Sequence, residues 1–434
     1  NEALFHRIKA VWLKRETSRL NAEQRRVVED LYETFVLNGA ELSADKKKRM
    51  QEINEKLANL YTKFGQNQLA DESGKSLVLD SEEQLAGLPE SLRDAAAAQA
   101  EERGLKGKWV IANGRSSMDP FLAFSANGGL REKIITQTLQ LRAESAQLLG
   151  FESYAHWKLA GNMAQHPDAA MDLMMKLWKS AVGRVHEEVA DMQALADSEG
   201  AKITIEPWDY SYYAEKVRTA KYDIDQNLVK EYLQLDNLRD AMFWAANKVH
   251  GIKMVKLEGV PVIHLDVTVY EVRKGRKRVG TFYFAPYARE GKRSGAWMDQ
   301  HRSQERFRKN VTPVISNQCN FVKGKPGEPV LISWDDAVTL FHEFGHALHG
   351  LMSNVTYPSL SGTAVKRDWV ELPSQLNERW VMTRELLKKF ALHYKTGEPI
   401  SDELVAKLNK ARTFNMGFDR VEFLASGLYD MKVH

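Results

Sequence analysis

The stretch FHEFGHALHG, residues 341–350, holds three of the chain's 12 histidines and one glutamate within ten positions. It lies in a helical pattern that begins after Ser333, with Asp336 at the spacing of a capping box. Gly350 is a plausible helix stop signal. Such a concentration of histidines indicates either a metal site or a helix that is rich in histidine by chance.

The spacing of the first two histidines favours the metal. His342 and His346 are four residues apart, so both imidazoles project from one face of a helix and suit a single zinc ion. Glu343 stands one step round the helix, where it can bond a water molecule without ligating the metal. This arrangement of two ligands and a neighbouring glutamate is what an H-E-x-x-H motif provides, and it predicts metal-assisted hydrolysis.

A catalytic zinc needs a third protein ligand. His349 lies on the same face, but three ligands on one rigid helix are poorly placed for tetrahedral coordination. The extended metzincin pattern is excluded because it needs Gly at 349 and His at 352, where this chain has His349 and Met352. A carboxylate on a following helix is the alternative, and RDWVELPSQLNERW offers Glu371. We also expect a carboxylate to orient each ligating histidine, with Glu378 as the first candidate and His349 as another possible neighbour of the site.

The rest of the chain predicts a mainly helical fold with one small sheet. Amphipathic helices are expected over residues 1–70 and at Pro167–Ser198. Between them we expect a shorter helix at Pro89–Arg103 and then an extended piece at Lys108–Asn113. Residues 260–284 predict a β-hairpin with a basic, solvated tip at Arg273–Arg278. The stretch AREGKRSGAWMDQHRS after it is expected to be turns.

Composition places the chain among ordinary globular proteins. It has 434 residues, 61 Lys and Arg against 58 Asp and Glu, and a single cysteine. The near-balance of charge gives no indication of nucleic-acid binding. Cys319 predicts a buried structural thiol, and no apolar run is long enough for a membrane helix. We expect a cytoplasmic monomer, although the first residue, Asn1, leaves room for a removed targeting segment.

Several stretches together resemble the M3 family of zinc metallopeptidases, which includes thimet oligopeptidase, oligopeptidase A, and peptidyl-dipeptidase (dipeptidyl carboxypeptidase). Besides FHEFGHALHG they are PSLSGT at 358–363, RDWVELPSQ at 367–375, YAREGKRSGAWM at 287–298, VTPVISNQCNF at 311–321 and TFNMGFDRVEFLASGLYDM at 413–431. The resemblance covers essentially the whole chain, and GKRSGAWM is closer to the peptidyl-dipeptidase branch.

The resemblance implies one zinc ion on His342, His346 and Glu371, with Glu343 as the catalytic glutamate. It implies a two-lobed, neurolysin-like helical fold around a deep channel that admits short peptides. Residues 1–255 would form a helical lobe and 256–434 the catalytic region. The implied activity is release of C-terminal dipeptides; the alternatives are internal cleavage by an oligopeptidase and an inactive zinc-binding protein.

Two further expectations follow from the resemblance. The family's later segment, with His and Tyr residues that bind substrate, is expected to be absent from this sequence, and Ala285 stands where the family usually has Asp. Substrate backbone is expected to pair with the hairpin at 262–284 or with the segment Gly291–Met298. The possible substrate-binding residues in that segment are Gly291, Ser294, Gly295 and Ala296.

Overall fold

The structure, a computed structural model, describes residues 1–74, 77–85, 93–94, 96–97, 100–101, 104–111, 128–222, 226–289, 291–324 and 327–434. The helix predicted at Pro89–Arg103 falls largely outside these residues. Of the extended piece predicted at 108–113, the described part contains a short strand that pairs with another.

Helices make up most of the described chain, as the sequence predicts. The first nine are α1 (Glu2–Leu13), α2 (Ala22–Leu37), α3 (Ala44–Gly74), α4 (Gly128–Leu148), α5 (Tyr154–Ala160), α6 (Pro167–Ser198), α7 (Tyr210–Tyr222), α8 (Gln226–Lys230) and α9 (Leu235–His250). The five that follow the sheet are α10 (Trp334–Leu351), α11 (Glu371–Glu378), α12 (Arg384–Phe390), α13 (Asp402–Ala411) and α14 (Met416–Val433). Among the described residues, no helix is both long enough and apolar enough to cross a membrane.

Two antiparallel strands, β1 (Leu77–Leu79) and β2 (Trp109–Ile111), pair with each other in the N-terminal part. A larger sheet contains β3 (Ile252–Leu257), β4 (Thr268–Lys274), β5 (Lys277–Tyr287), β6 (Trp297–Arg302) and β7 (Val314–Phe321) in the order β3-β4-β5-β7-β6. The pair β5–β7 is parallel and the other pairs are antiparallel.

The hairpin prediction is confirmed for β4 and β5, which turn at Gly275 with φ of +59°. Two details were wrong. The first strand begins at Thr268 rather than near residue 260, and the stretch expected to be turns contains β6. The sequence of β6, WMDQHR, lacks the β-branched residues that mark a strand. Its conformation comes from pairing with β7, which is a tertiary effect.

The core lies between this sheet and α10. Phe282 on β5 and Phe344 on α10 are almost fully buried, and their ring centroids are 5.5 Å apart. Phe243 on α9 closes the cluster, with its ring 5.7 Å from that of Phe344. Cys319 on β7 is fully buried in the same core, as predicted. Burial of these large apolar side chains supplies the main stabilisation of this region and fixes α10 against the sheet.

Candidate active site

Helix α10 begins with the predicted capping box. The side chain of Ser333 accepts from the backbone N–H of Asp336, and the side chain of Asp336 accepts from the backbone N–H of Ser333. The helix extends to Leu351, one residue beyond the predicted stop. Its buried face includes Phe341, Phe344 and Leu348, which pack on the core. This packing fixes the rotation of the helix about its axis, and therefore the direction in which its histidines point.

A close approach between two helices brings the third predicted ligand to the histidines. A Cβ atom at Gly345 would lie 2.6 Å from Cα of Ser374 and 3.2 Å from the carbonyl oxygen of Pro373 on α11. Only glycine permits this separation. The amide of Asn377 also donates to the carbonyl oxygen of Phe341 at 2.6 Å. Helix α11 is therefore held directly against α10.

Three potential ligand atoms converge as a result. Oε2 of Glu371 lies 3.1 Å from Nε2 of His342 and 3.0 Å from Nε2 of His346. Tetrahedral zinc with bonds of about 2.0–2.1 Å to nitrogen and oxygen has ligand atoms separated by about 3.3 Å. The three atoms are therefore spaced almost as such a centre requires. In the described part of the chain, these residues form the one group of three or more His, Cys, Asp or Glu that could hold an ion.

The hydrogen bonding of His342 tests whether a metal fits. Its Nδ1 lies 2.7 Å from Oε1 of Glu378. A carboxylate accepts hydrogen bonds, so the tautomer of the ring that carries its proton on Nδ1 donates to Glu378. In that tautomer Nε2 presents a lone pair to the carboxylate of Glu371 at 3.1 Å, and a cation between these two acceptors would bridge them. The donor set therefore fits a divalent metal, with Glu378 placed to orient the ring of His342.

The protonation of the other two groups agrees with this. Burial lowers the pKa of His346, although the nearby Glu371 opposes the shift. Burial acts to raise the pKa of Glu371, but a hydrogen bond from Ser374 and the neighbouring histidines outweigh it and lower the pKa. A neutral imidazole and an ionised carboxylate are the forms that ligate a metal.

Glu343 lies beside this cluster in a different environment. The residue is 6% exposed, and Oε2 of its side chain has no hydrogen-bond partner among the described residues. Burial raises the pKa of this carboxyl group to about 7, because the charged form loses its hydration. The backbone carbonyl of Glu343 accepts from the side-chain amide of Asn317 on β7 at 2.7 Å. The sheet thus helps to position Glu343.

His349 does not join the three converging residues. Its ring is tilted against Trp369 with centroids 5.7 Å apart. Burial lowers its pKa, and its Nδ1 has no hydrogen-bond partner in the described parts of the chain. Of the two predicted neighbours of the site, Glu378 contacts His342, whereas His349 packs against an aromatic side chain.

The predicted substrate-binding residues lie in the loop that leads into β6, at the edge of the sheet. Gly291 and Gly295 both have positive φ, +73° and +85°. The loop is held to the sheet by Asn320, whose amide donates to the carbonyl oxygens of Arg293 and Gly295 at 2.7 and 2.6 Å. The four residues named from the sequence, Gly291, Ser294, Gly295 and Ala296, therefore occupy a well-anchored loop beside an edge strand.

A half-buried ammonium group gives this loop its second anchor. Pro286 lies within β5 and has no N–H to donate, and the β5–β7 register shifts at this point. Nζ of Lys292 donates to the carbonyl oxygens of Ala285 and Tyr287, each at 2.9 Å, and to that of Cys319. Burial lowers the pKa of this lysine to about 8.

Sequence reasoning missed several of these positioning residues. Gly345 carried a usable signal, because glycine inside a helix costs about 1 kcal/mol and is kept for close packing. Asn317 and Lys292 carried none, since their partners lie on strands whose pairing is not visible in the sequence.

Comparison with known proteins agrees with the family resemblance seen in the sequence. The sequence profile of peptidase family M3 matches residues 123–434. The dipeptidyl carboxypeptidase of Escherichia coli is 39% identical over 455 residues, covering 100% of this chain and 67% of that protein. Its counterpart in Salmonella typhimurium is 38% identical with the same coverage. Oligopeptidase A of Escherichia coli is 34% identical over 442 residues, covering 96% of this chain and 65% of that protein. The chain thus spans about two thirds of the length of these relatives.

Proposed function

The chain belongs to peptidase family M3, and from this premise we propose that it hydrolyses short peptides with one zinc ion held by His342, His346 and Glu371. The observation that carries the proposal is the convergence of these three ligand atoms beside the buried carboxyl group of Glu343. The side chain of Glu371 is 52% exposed, so the cluster is open to a ligand arriving from solvent.

Zinc at this position supplies Lewis acidity. Glu343 accepts the proton of the water molecule that attacks the peptide carbonyl and then passes it to the departing amine. Its free Oε2 and its pKa of about 7 suit both transfers, since a group that titrates near the working pH can accept and release a proton. Glu378 keeps the ring of His342 in the orientation that directs Nε2 towards the metal.

The peptide binds along β6. This strand is the last in the order β3-β4-β5-β7-β6, so within the described residues one of its edges has no partner strand. A peptide in extended conformation can add to such an edge through main-chain hydrogen bonds. The loop Gly291–Ala296 enters this strand and would contact the same peptide.

The mode of cleavage is release of dipeptides from the C-terminus. The relatives with the highest identities quoted above are dipeptidyl carboxypeptidases, and oligopeptidase A, at lower identity, supports internal cleavage as the alternative. The two modes differ in how the end of the peptide is held. A monomeric state, a cytoplasmic location and the division at residue 255 into two lobes remain predictions from the sequence.

Mass spectrometry of peptide products tests the function. A short peptide with a free C-terminus and the same peptide with an amidated C-terminus are incubated with the zinc-loaded chain. Dipeptides released only from the free-ended peptide support the proposed mode. Internal cuts in both peptides assign the chain to the oligopeptidase mode instead. Intact peptides in the presence of bound zinc contradict hydrolysis by this chain.

A further inference from the structure

The segment between α10 and α11 connects the two histidines to Glu371, and side chains of the N-terminal helix α2 bind it. Glu23 on α2 accepts from the backbone N–H of Thr356 at 2.7 Å, and Glu33 on the same helix pairs with Lys366 at 2.8 Å. The N-terminal helices therefore contact the segment whose far end is a proposed metal ligand.

The contact nearest in sequence to Glu371 is made by Asp368. Its two carboxylate oxygens accept from the consecutive backbone N–H groups of Met163 and Ala164, at 3.0 and 2.9 Å. These amides belong to the turn between α5 and α6, which includes Gln165 with a φ of +59°. Consecutive amides in a turn of this kind form a concavity that suits an anion.

Glu371 depends on its upstream neighbours more than a residue inside a helix would. It is the first residue of the eight-residue α11, and Val370 before it provides no side-chain cap. The close contacts of α11 with α10 are made by Pro373, Ser374 and Asn377, which come two, three and six residues later. Asp368 lies three residues before Glu371, in the turn that leads directly into the helix. The ligand is thus held on one side by helix packing and on the other by Asp368.

We propose that Asp368 is a positioning residue for the metal: by binding the amides of Met163 and Ala164, it fixes the turn that presents Glu371 to the ion. This inference rests on the proposed ligand role of Glu371. It makes the α5–α6 turn part of the metal centre's support, although no residue of that turn belongs to the ligand cluster.

The test is Asp368→Asn in the full chain. Asparagine keeps the size of the side chain but replaces one acceptor oxygen by an NH₂ group, which cannot accept from the second amide. We expect zinc affinity, measured by competition with a chromophoric chelator, to fall about 10-fold, in the range found when the support of a ligand is removed. The visible absorption spectrum of the Co²⁺-loaded protein reports coordination geometry and should change as well.

Asp209→Asn is the matched control. Asp209 also lies in a turn before a helix and accepts from a backbone N–H, that of Glu206, at 3.2 Å. It should leave zinc affinity and the Co²⁺ spectrum unchanged. Ala164→Pro removes one donor from the other partner and should reproduce the effect of Asp368→Asn; combined with it, no further loss is expected.

The outcomes separate this inference from the proposed function. Glu371→Gln with wild-type zinc affinity would overturn the ligand assignment itself. If Glu371→Gln loses zinc while Asp368→Asn binds it within twofold of wild type and keeps the Co²⁺ spectrum, the positioning role of Asp368 is wrong and the ligand assignment stands.

Discussion

Helices α2 and α10 are of similar length but are stabilised in different ways. None of the 16 residues of α2, all of them described, is buried, whereas 11 of the 18 residues of α10 are. Local interactions are prominent in α2: its Asn21–Gln24 capping box and the Arg26–Asp30 ion pair join residues three and four apart, and its contacts with distant segments are made by partly exposed side chains such as Glu33. Helix α10 also has a cap, but its position depends on distant partners. A reactive site needs this second kind of helix, because only surrounding packing fixes side chains closely enough.

The largest expected effect is on turnover. Glu343→Gln on α10 removes the group that accepts the proton, and we expect peptide hydrolysis to fall about 10²- to 10⁴-fold, the usual contribution of a general base. Zinc content, measured by elemental analysis, should stay at the wild-type level. Glu29→Gln on α2 is the matched control and should retain full activity; equal loss in both variants would contradict the comparison.

Phenylalanine truncation compares the packing of the two helices. Phe344 is 1% exposed and lies against two other aromatic rings, so Phe344→Ala should lower the free energy of unfolding by about 3–5 kcal/mol. Phe35 on α2 is only half-buried and stacks on Phe5 at 5.8 Å. Phe35→Ala should cost about 1.5–2.5 kcal/mol. Urea unfolding of both variants measures the difference, and similar losses would show that α2 is as tightly packed as α10.

The N-caps should be nearly equal, because capping is local in both helices. Asn21→Ala on α2 and Ser333→Ala on α10 each remove the acceptor for one helix N–H, and each should cost about 1 kcal/mol. The same unfolding assay measures both. A much larger loss for Ser333→Ala would mean that the cap also supports the packing of α10.

The smallest effect concerns the surface of α2. Arg26 and Asp30 form an i,i+4 pair with a distance of 2.8 Å between Nε and Oδ2, and both side chains are exposed. Arg26→Ala should change stability by about 0.3–0.5 kcal/mol. Repeating the measurement in 1 M salt should remove most of this difference, because exposed ion pairs are screened. A loss that persists in high salt would indicate packing by the arginine stem instead.

The sequence predicts the locally determined features well. The start of α10 follows from its predicted capping residues, and α6 has the predicted bounds, Pro167–Ser198. The converging residues were predicted from the spacing of His342 and His346 and from the resemblance to family M3. What could not be predicted depends on contacts between distant segments: the strand β6, the parallel pairing of β5 with β7, and the bond between Asp368 and the α5–α6 turn. No periodicity in one segment encodes the position of another.

Gly345 has a consequence for the tolerance of this chain to mutation. A saturation library at position 345, selected for zinc retention, should return glycine alone, since even a methyl group would meet the α11 backbone at 2.6 Å. Gly183 lies inside α6, and a Cβ there meets no described atom within 4 Å. Alanine at position 183 should be accepted and should add about 0.5–1 kcal/mol of stability. Two glycines inside helices thus differ completely in information content: one position is invariant under selection, and the other is free to drift.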